Sequence, residues 1–348
     1  MRTLIIGGTR FIGPYVVSSL VQSGHDVTVF HRGNTEAELT AGADHIHGDR
    51  EHLSEFALEF TRLQPDVVID MYLQKQQDAA SLMQTFKGVA GRVVAISSMD
   101  AYQAYGKLIR MEGGAPDASS LKEDSPLRSQ LYPYRPRATG PGDHLYHYDK
   151  IPIERNVMSE PDLPGTVLRL PCVYGPLDYQ RRLFPYLKRM DDSRPFIPLR
   201  EGMFNWRWTR GYVENIALAI AVAATDPRSA SRIYNVGEAE ALSETDWIRA
   251  IGRVAGWDGE VVATPPDLLP RSSTADYDWR NQLYADTTRF RRELDYEDKI
   301  RFEEGLIRTV AWERENPPAE IDPDQFDYAA EDAALRTLTN RGPNAPTL

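Results

Sequence analysis

An α/β fold built on a doubly wound parallel sheet is predicted by three observations. Short, continuously apolar runs alternate with amphipathic stretches through the first half of the chain. The first run passes straight into Gly7-Gly8, and a helical pattern begins at Phe11. Residues able to meet a ligand, among them His31, Asp49, Tyr72 and Ser98, stand at the ends of the runs. Continuous apolar strands call for a sheet covered on both faces, and ligands then bind beyond the carboxyl ends of the strands.

Residues 3–6 read as a buried strand. Phe11, Ile12, Val16, Val17, Leu20 and Val21 follow at helical spacing and stop at Gly24. A turn this tight leaves the first helix amides aimed at whatever lies above the strand, which suits a phosphate. Glycine allows the sharp turn and the close approach. Val27–Phe30 is the second strand and closes on His31-Arg32. In a dinucleotide-binding unit an acid at this place holds the 2′-hydroxyl of NAD, and a base accommodates the 2′-phosphate of NADP. With no acid here, and with Arg10 in the glycine turn, the expectation is NADP, with NAD as the alternative. A charge-assisted bond to phosphate is worth roughly 1.5–3 kcal/mol.

Residues 43–48, 66–70 and 92–96 are the third to fifth strands, separated by helical patterns to Leu63 and over Gln74–Phe86. Gly7, His31, Asp49, Met71, Tyr72 and Ser98 all fall at strand ends. Downstream, Tyr146 and Lys150 are four residues apart, which on a helix places phenol and ammonium on one face. An adjacent cation lowers a phenol pKa from about 10, so the phenol can exchange a proton near neutral pH.

With 41% hydrophobic and 26% charged residues the composition is that of an ordinary soluble enzyme. A net charge of −11 argues against nucleic-acid binding, which needs a basic face. A single cysteine, Cys172, excludes an intrachain disulfide and a multi-cysteine metal site. The histidines lack metal-ligand spacing, so no metal is expected; His45 and His47 share a strand face for structural reasons. No apolar run reaches the roughly 20 residues of a membrane span, and strand sequence starts at once, so neither membrane nor signal peptide is expected and the location is cytoplasmic.

Eight stretches then stand in a recognisable order: Gly7–Gly13, Gly48–Arg50, Ile96–Tyr102, Tyr146–Glu154, Leu168–Pro176, Tyr212–Ala217, Tyr234–Gly237 and Glu303–Trp312. In these the chain resembles the extended short-chain dehydrogenase/reductases, the NAD(P)-dependent epimerases, dehydratases and reductases of nucleotide sugars. The resemblance covers roughly residues 2–316 and departs from the pattern at Arg10, where the turn has a glycine. It implies a Rossmann-type domain over 1–175 with an insertion at 103–143, and a smaller C-terminal α/β substrate domain over 176–316. Segments such as 212–237 return to the first domain, and 317–348 is a tail with a docking helix at Tyr328–Leu338. It implies Ser98, Tyr146 and Lys150 as the catalytic set. Ser98 orients the substrate oxygen, Tyr146 is the general acid/base, and Lys150 lowers its pKa and holds the nicotinamide ribose.

The cofactor-binding residues implied are Gly7, Thr9, Arg10, Phe11, Ile12, His31, Arg32, Asp49, Arg50, Met71, Tyr72, Pro171 and Val173, besides Tyr146 and Lys150. Asp100, Arg207 and Arg210 are the substrate-binding candidates, the arginines meeting the diphosphate of a sugar nucleotide. A homodimer is part of the same expectation. Dehydration ranks below reduction or epimerisation, because Met99 stands first where an acid pair would follow the catalytic hydroxyl. Reduction of a non-nucleotide carbonyl compound and a non-catalytic RNA-binding relative are the alternatives. Further expectations are a lid in 103–143, a bend at Pro152, a Gln180–Met190 helix broken at Pro185, and a substrate-side loop over 264–282.

Overall fold

A computed structural model describes residues 1–35, 41–269 and 276–341. Its strands are β1 (Arg2–Ile6), β2 (Asp26–His31), β3 (Asp44–His47), β4 (Val67–Asp70), β5 (Val93–Ser98) and β6 (Gly165–Leu170). There follow β7 (Cys172–Tyr174), β8 (Phe196–Arg200), β9 (Arg210–Tyr212), β10 (Arg232–Asn235) and β11 (Glu260–Thr264). Seven of them form one parallel sheet in the order β10-β6-β5-β4-β1-β2-β3. The order reverses between β1 and β4, and in open α/β sheets that switch point opens the ligand crevice. Two parallel pairs, β8 with β11 and β7 with β9, lie outside the main sheet.

Helices cover both faces, as continuous apolar strands require. On one face α1 (Ile12–Gln22) buries Val16, Val17 and Leu20 against Ile5, Val29 and Ile69 of the sheet. On the other face lie α2 (Ala57–Leu63) and α3 (Gln76–Phe86), whose Phe60, Leu82 and Phe86 pack on Leu4, Ile6 and Val68. Leu4 and Ile6 point one way and Ile5 the other, the period of two that divides the core into two layers. Further along the chain are α4 (Gln103–Leu108), α5 (Lys150–Val157), α6 (Phe184–Asp191) and α7 (Val213–Thr225). α7 is apolar nearly all round and is buried beside α1. The remaining helices are α8 (Glu244–Ala255), α9 (Thr288–Glu293), α10 (Phe302–Glu315) and α11 (Tyr328–Arg341). α8 starts on a Ser243 cap that accepts the Asp246 N–H, and α11 sets the buried Glu331 against Arg189.

Two local expectations change. Pro185 is the second residue of α6, so it starts that helix rather than breaking it. Pro152 is the third residue of α5, where a missing N–H removes no helical bond. The 103–143 insertion opens with α4 and is stitched down by Gln103 N–H to Pro126 O and Arg128 N–H to Ala101 O, at 2.8 and 2.9 Å. Of the 264–282 loop, residues 270–275 lie outside the described residues. Among the described residues, no helix is long and apolar enough to cross a membrane.

Candidate active site

The turn from β1 into α1 has the form a pyrophosphate needs. Gly7 and Gly8 hold φ near +87° and +86°, which side-chain-bearing residues rarely adopt. A Cβ on Gly13 would stand 2.3 Å from Gly8 Cα, so the turn closes only with glycine there. Phe11 caps α1 without a side-chain acceptor, while the Gly13 N–H turns back to Arg10 O at 3.0 Å. A Cβ on Gly7 would lie 3.5 and 3.8 Å from the Cβ atoms of Met71 and Tyr72, which places the end of β4 over the turn. Gly13→Ala is expected to lower stability by about 1–3 kcal/mol and to abolish cofactor-induced thermal stabilisation; a variant that melts at the wild-type temperature and is still stabilised by dinucleotide would contradict this.

Beyond β2, Arg32 is exposed and no carboxylate replaces it. His31 is buried, its ring 2.8 Å from His45 through Nε2 and Nδ1 and edge-on to His47. Arg10 reaches Thr35 Oγ1 at 3.4 Å. Asp49 Oδ1 accepts the Glu51 N–H. Arg50 is committed elsewhere, to the buried carboxylates of Asp70 and Asp78. Val173 is buried in β7, while Pro171, Thr9 and Ile12 keep partial exposure.

The expected pairing of Tyr146 and Lys150 on one helix face does not form. α5 begins at Lys150, capped by Asp149, whose side chain accepts the Ile151 N–H. Tyr146 lies upstream in a turn, its carbonyl held by Arg135 Nε at 3.0 Å and its ring 4.7 Å from the same guanidinium. The i, i+4 rule holds only if both residues are helical, and an Asp cap with a proline in the first turn marks a later start. Lys150 Nζ, fully enclosed, donates to the carbonyls of Leu73 and Ile96 at the ends of β4 and β5. Burial pulls its pKa down, against the opposing charges of Asp100, Asp70 and Glu154. The aromatic ring beneath it is Tyr148, with Nζ 5.3 Å from the centroid.

Ser98 closes β5, and its Oγ accepts the Asp100 N–H at 3.2 Å. Asp100 is 6% exposed. Its Oδ2 accepts the hydroxyls of Tyr148 at 3.0 Å and Tyr134 at 3.1 Å. Burial drives the Asp100 pKa up, against the pull of Arg128 and Lys150. Tyr148 and Tyr134 were not singled out by the sequence reasoning; the only signal for Tyr148 is that it directly precedes the cap Asp149.

The two substrate arginines separate. Arg210 is 5% exposed, paired with Glu244 and stacked 4.3 Å from the centre of Trp247. Its guanidinium neutralises a buried carboxylate. Arg207 is exposed, its N–H donating to Gln282 Oε1. Trp206 is buried, donates to Asn281 O, and packs edge-on to Trp279.

A profile of the NAD dependent epimerase/dehydratase family matches residues 3–237. The chain is similar to the chloroplast stem-loop binding protein of 41 kDa b of Arabidopsis thaliana, with 22% identity over 88% of this chain and 77% of that one. It is similar to dTDP-glucose 4,6-dehydratase 1 of Escherichia coli, with 23% identity over 90% and 92% of the two chains. The fold is that of the UDP-glucose 4-epimerase of Thermus thermophilus solved with NAD, at a TM-score of 0.65 and 21% identity over 91% of this chain and 100% of that one. With its glycine turn, seven-stranded sheet and profile match, the chain belongs to the NAD dependent epimerase/dehydratase family.

Proposed function

We propose that the protein is an NADP-preferring oxidoreductase or epimerase that moves hydride to and from the hydroxyl or keto carbon of a sugar nucleotide. One observation carries this reading: the Ser98 hydroxyl and the enclosed Lys150 ammonium share the sheet edge that holds the Gly7–Gly13 turn. A bound nicotinamide dinucleotide supplies the hydride. Gly7, Gly8 and the α1 amides hold its pyrophosphate, and Asp49 faces the adenine with the oxygen not used in capping. Ser98 orients the reacting oxygen, and a phenol beside Lys150 exchanges the proton. Support for the substrate class comes from the dehydratase and epimerase relatives and from the exposed Arg207.

The test is a thermal-shift and turnover screen with NADPH and NADH, each with UDP-glucose or dTDP-glucose. Stabilisation by a dinucleotide, raised further by a sugar nucleotide that is turned over, is expected. Stabilisation by dinucleotide alone favours a non-nucleotide carbonyl substrate instead. NADPH is expected to bind more tightly than NADH, by about tenfold or more, and Arg32→Ala to erase most of that difference; equal affinities would defeat the preference. The likeness to a chloroplast stem-loop binding protein favours a second reading, RNA binding. RNA affinity without turnover in the same screen would select it.

A further inference from the structure

Two elements bring hydroxyl groups to one carboxylate. Tyr148 arrives from the turn into α5 and Tyr134 from the 103–143 insertion, while Ser98, at the end of β5, accepts the backbone N–H of the same residue. The Tyr105 hydroxyl of α4 extends the chain, donating to Tyr134 at 2.9 Å. The carboxylate is Asp100, and its Oδ1 has no hydrogen-bond partner among the described residues. An unpaired buried carboxylate oxygen costs free energy unless the group is neutral or has a ligand to meet. Tyr148 keeps partial exposure, and its phenol meets the interior acid. Its segment is pinned by Asp149 N–H to Gln74 O at 3.2 Å, at the strand ends where a substrate oxygen must sit. Tyr146 makes no hydrogen bond or ring contact with Ser98, Asp100 or Lys150 among the described residues, and Arg135 covers its ring.

We propose that Tyr148, not Tyr146, exchanges the proton with the substrate oxygen, and that Asp100 is the acid behind it, its proton relayed through the phenol. This deepens the hydride-transfer reading above and rests on it. In the reducing direction the carbonyl carbon takes a hydride from a reduced nicotinamide dinucleotide, and the carbonyl oxygen takes the Tyr148 proton. The Asp100 proton crosses the 3.0 Å line to the Tyr148 oxygen in the same event. The products are an alcohol, an oxidised dinucleotide, a neutral Tyr148 and an Asp100 carboxylate, which regains a proton from water. Oxidation runs both transfers backwards.

The relay answers an electrostatic difficulty. Burial first, and then the Asp100 charge, push the Tyr148 phenol well above its ordinary value, so a free phenolate is a poor resting base. Burial drives the Asp100 carboxyl up as well, so it holds a proton more readily than an ordinary aspartate and can act through that phenol. The groups that face Asp100 are Arg128, Lys150, Tyr148, Tyr134 and Tyr105. Arg128 is paired with Asp149, and Lys150 gives its hydrogen bonds to Leu73 and Ile96, so neither neutralises Asp100 by direct contact. Asp70, Glu154 and Arg50 act on Lys150 rather than on the dyad.

The experiment uses the full chain labelled with carbon-13 at the aspartate side-chain carboxyls. The signal missing from Asp100→Asn identifies Asp100. It is expected to titrate above the usual aspartate value of about 4, to shift its titration in Tyr148→Phe, and to stay unchanged in Tyr146→Phe. In the turnover screen Tyr148→Phe and Asp100→Asn are each expected to lower kcat by about 100-fold or more with dinucleotide stabilisation retained, and Tyr146→Phe to leave kcat within about threefold. An ordinary Asp100 titration, or loss of turnover in Tyr146→Phe rather than Tyr148→Phe, overturns the proposal. If wild-type protein turns over no probe, the hydride-transfer reading fails, and the carboxyl titration alone then decides whether the Tyr148–Asp100 dyad exists.

Discussion

Asp149→Ala is expected to lower the stability of the chain by about 3–5 kcal/mol, read as a drop in the urea midpoint at unchanged slope. Asp149 is fully buried, and each of its oxygens is used. Oδ1 accepts the Ile151 N–H at 2.9 Å, which caps α5, and the Arg128 guanidinium at 3.0 Å. Oδ2 accepts the Tyr132 N–H at 2.6 Å. Arg128 also donates to the carbonyls of Asp100 and Gln130, so truncating Asp149 leaves its hydrogen bonds mostly made and its charge uncompensated in the interior. Removing one partner of such a pair costs far more than the pair contributes. Asp149→Asn separates the contributions: the amide oxygen keeps the cap, worth about 1 kcal/mol, while the ion pair is lost. A loss below about 1 kcal/mol in the alanine variant would show that Arg128 finds another route to neutrality. The same residue fixes where α5 begins, and therefore where Tyr148 and Lys150 stand.

The fold was legible because its strands are buried on both faces, and an apolar run between turn residues has few other meanings. Gly7, Gly8 and Gly13 were legible for a related reason, since steric demands on a backbone turn are written into single residues. The candidate site was legible only in part. Ser98 and Lys150 reach the predicted sheet edge because a strand end and a helix start put them there. Tyr146 was misplaced on a helix because spacing of four carries a face only within a continuous helix. Asp149-Lys-Ile-Pro152, a cap followed by a first-turn proline, marks the later helix start. Arg210 was misjudged for a different reason. Its partner Glu244 lies 34 residues on in the helix α8, and no local pattern announces a long-range ion pair. Tyr134 and Tyr105 join Asp100 through tertiary placement of the insertion, which composition alone does not specify.

Glu238 gives the protein a stability that falls as pH rises, and Glu238→Gln is expected to remove that dependence. Burial pushes the Glu238 carboxyl from 4.5 up to about 7, against the Tyr174 hydrogen bond and the Arg210 charge. Tyr174 Oη donates to Oε1 at 2.8 Å, and this bond persists whether or not the carboxyl is ionised. Because the folded value lies above the unfolded one, the folded state holds the proton more tightly between pH 4.5 and 7. The stability this group contributes is therefore complete below 4.5 and is lost as pH climbs through about 7. At 1.36 kcal/mol per pKa unit, discounted for partial exposure, the change is about 2–3 kcal/mol across that window. Other carboxylates, such as Asp278 held at about 2 by Arg280, act in the opposite sense but finish titrating at lower pH. The measurement is therefore a difference: wild type minus Glu238→Gln, in urea unfolding free energy at pH 4.5 and at pH 7. The glutamine keeps an acceptor for Tyr174 and never ionises, so the difference should turn against the wild type as pH rises. A difference that stays flat would mean that water reaches the carboxylate and that Arg210 and Arg291, not burial, govern its charge.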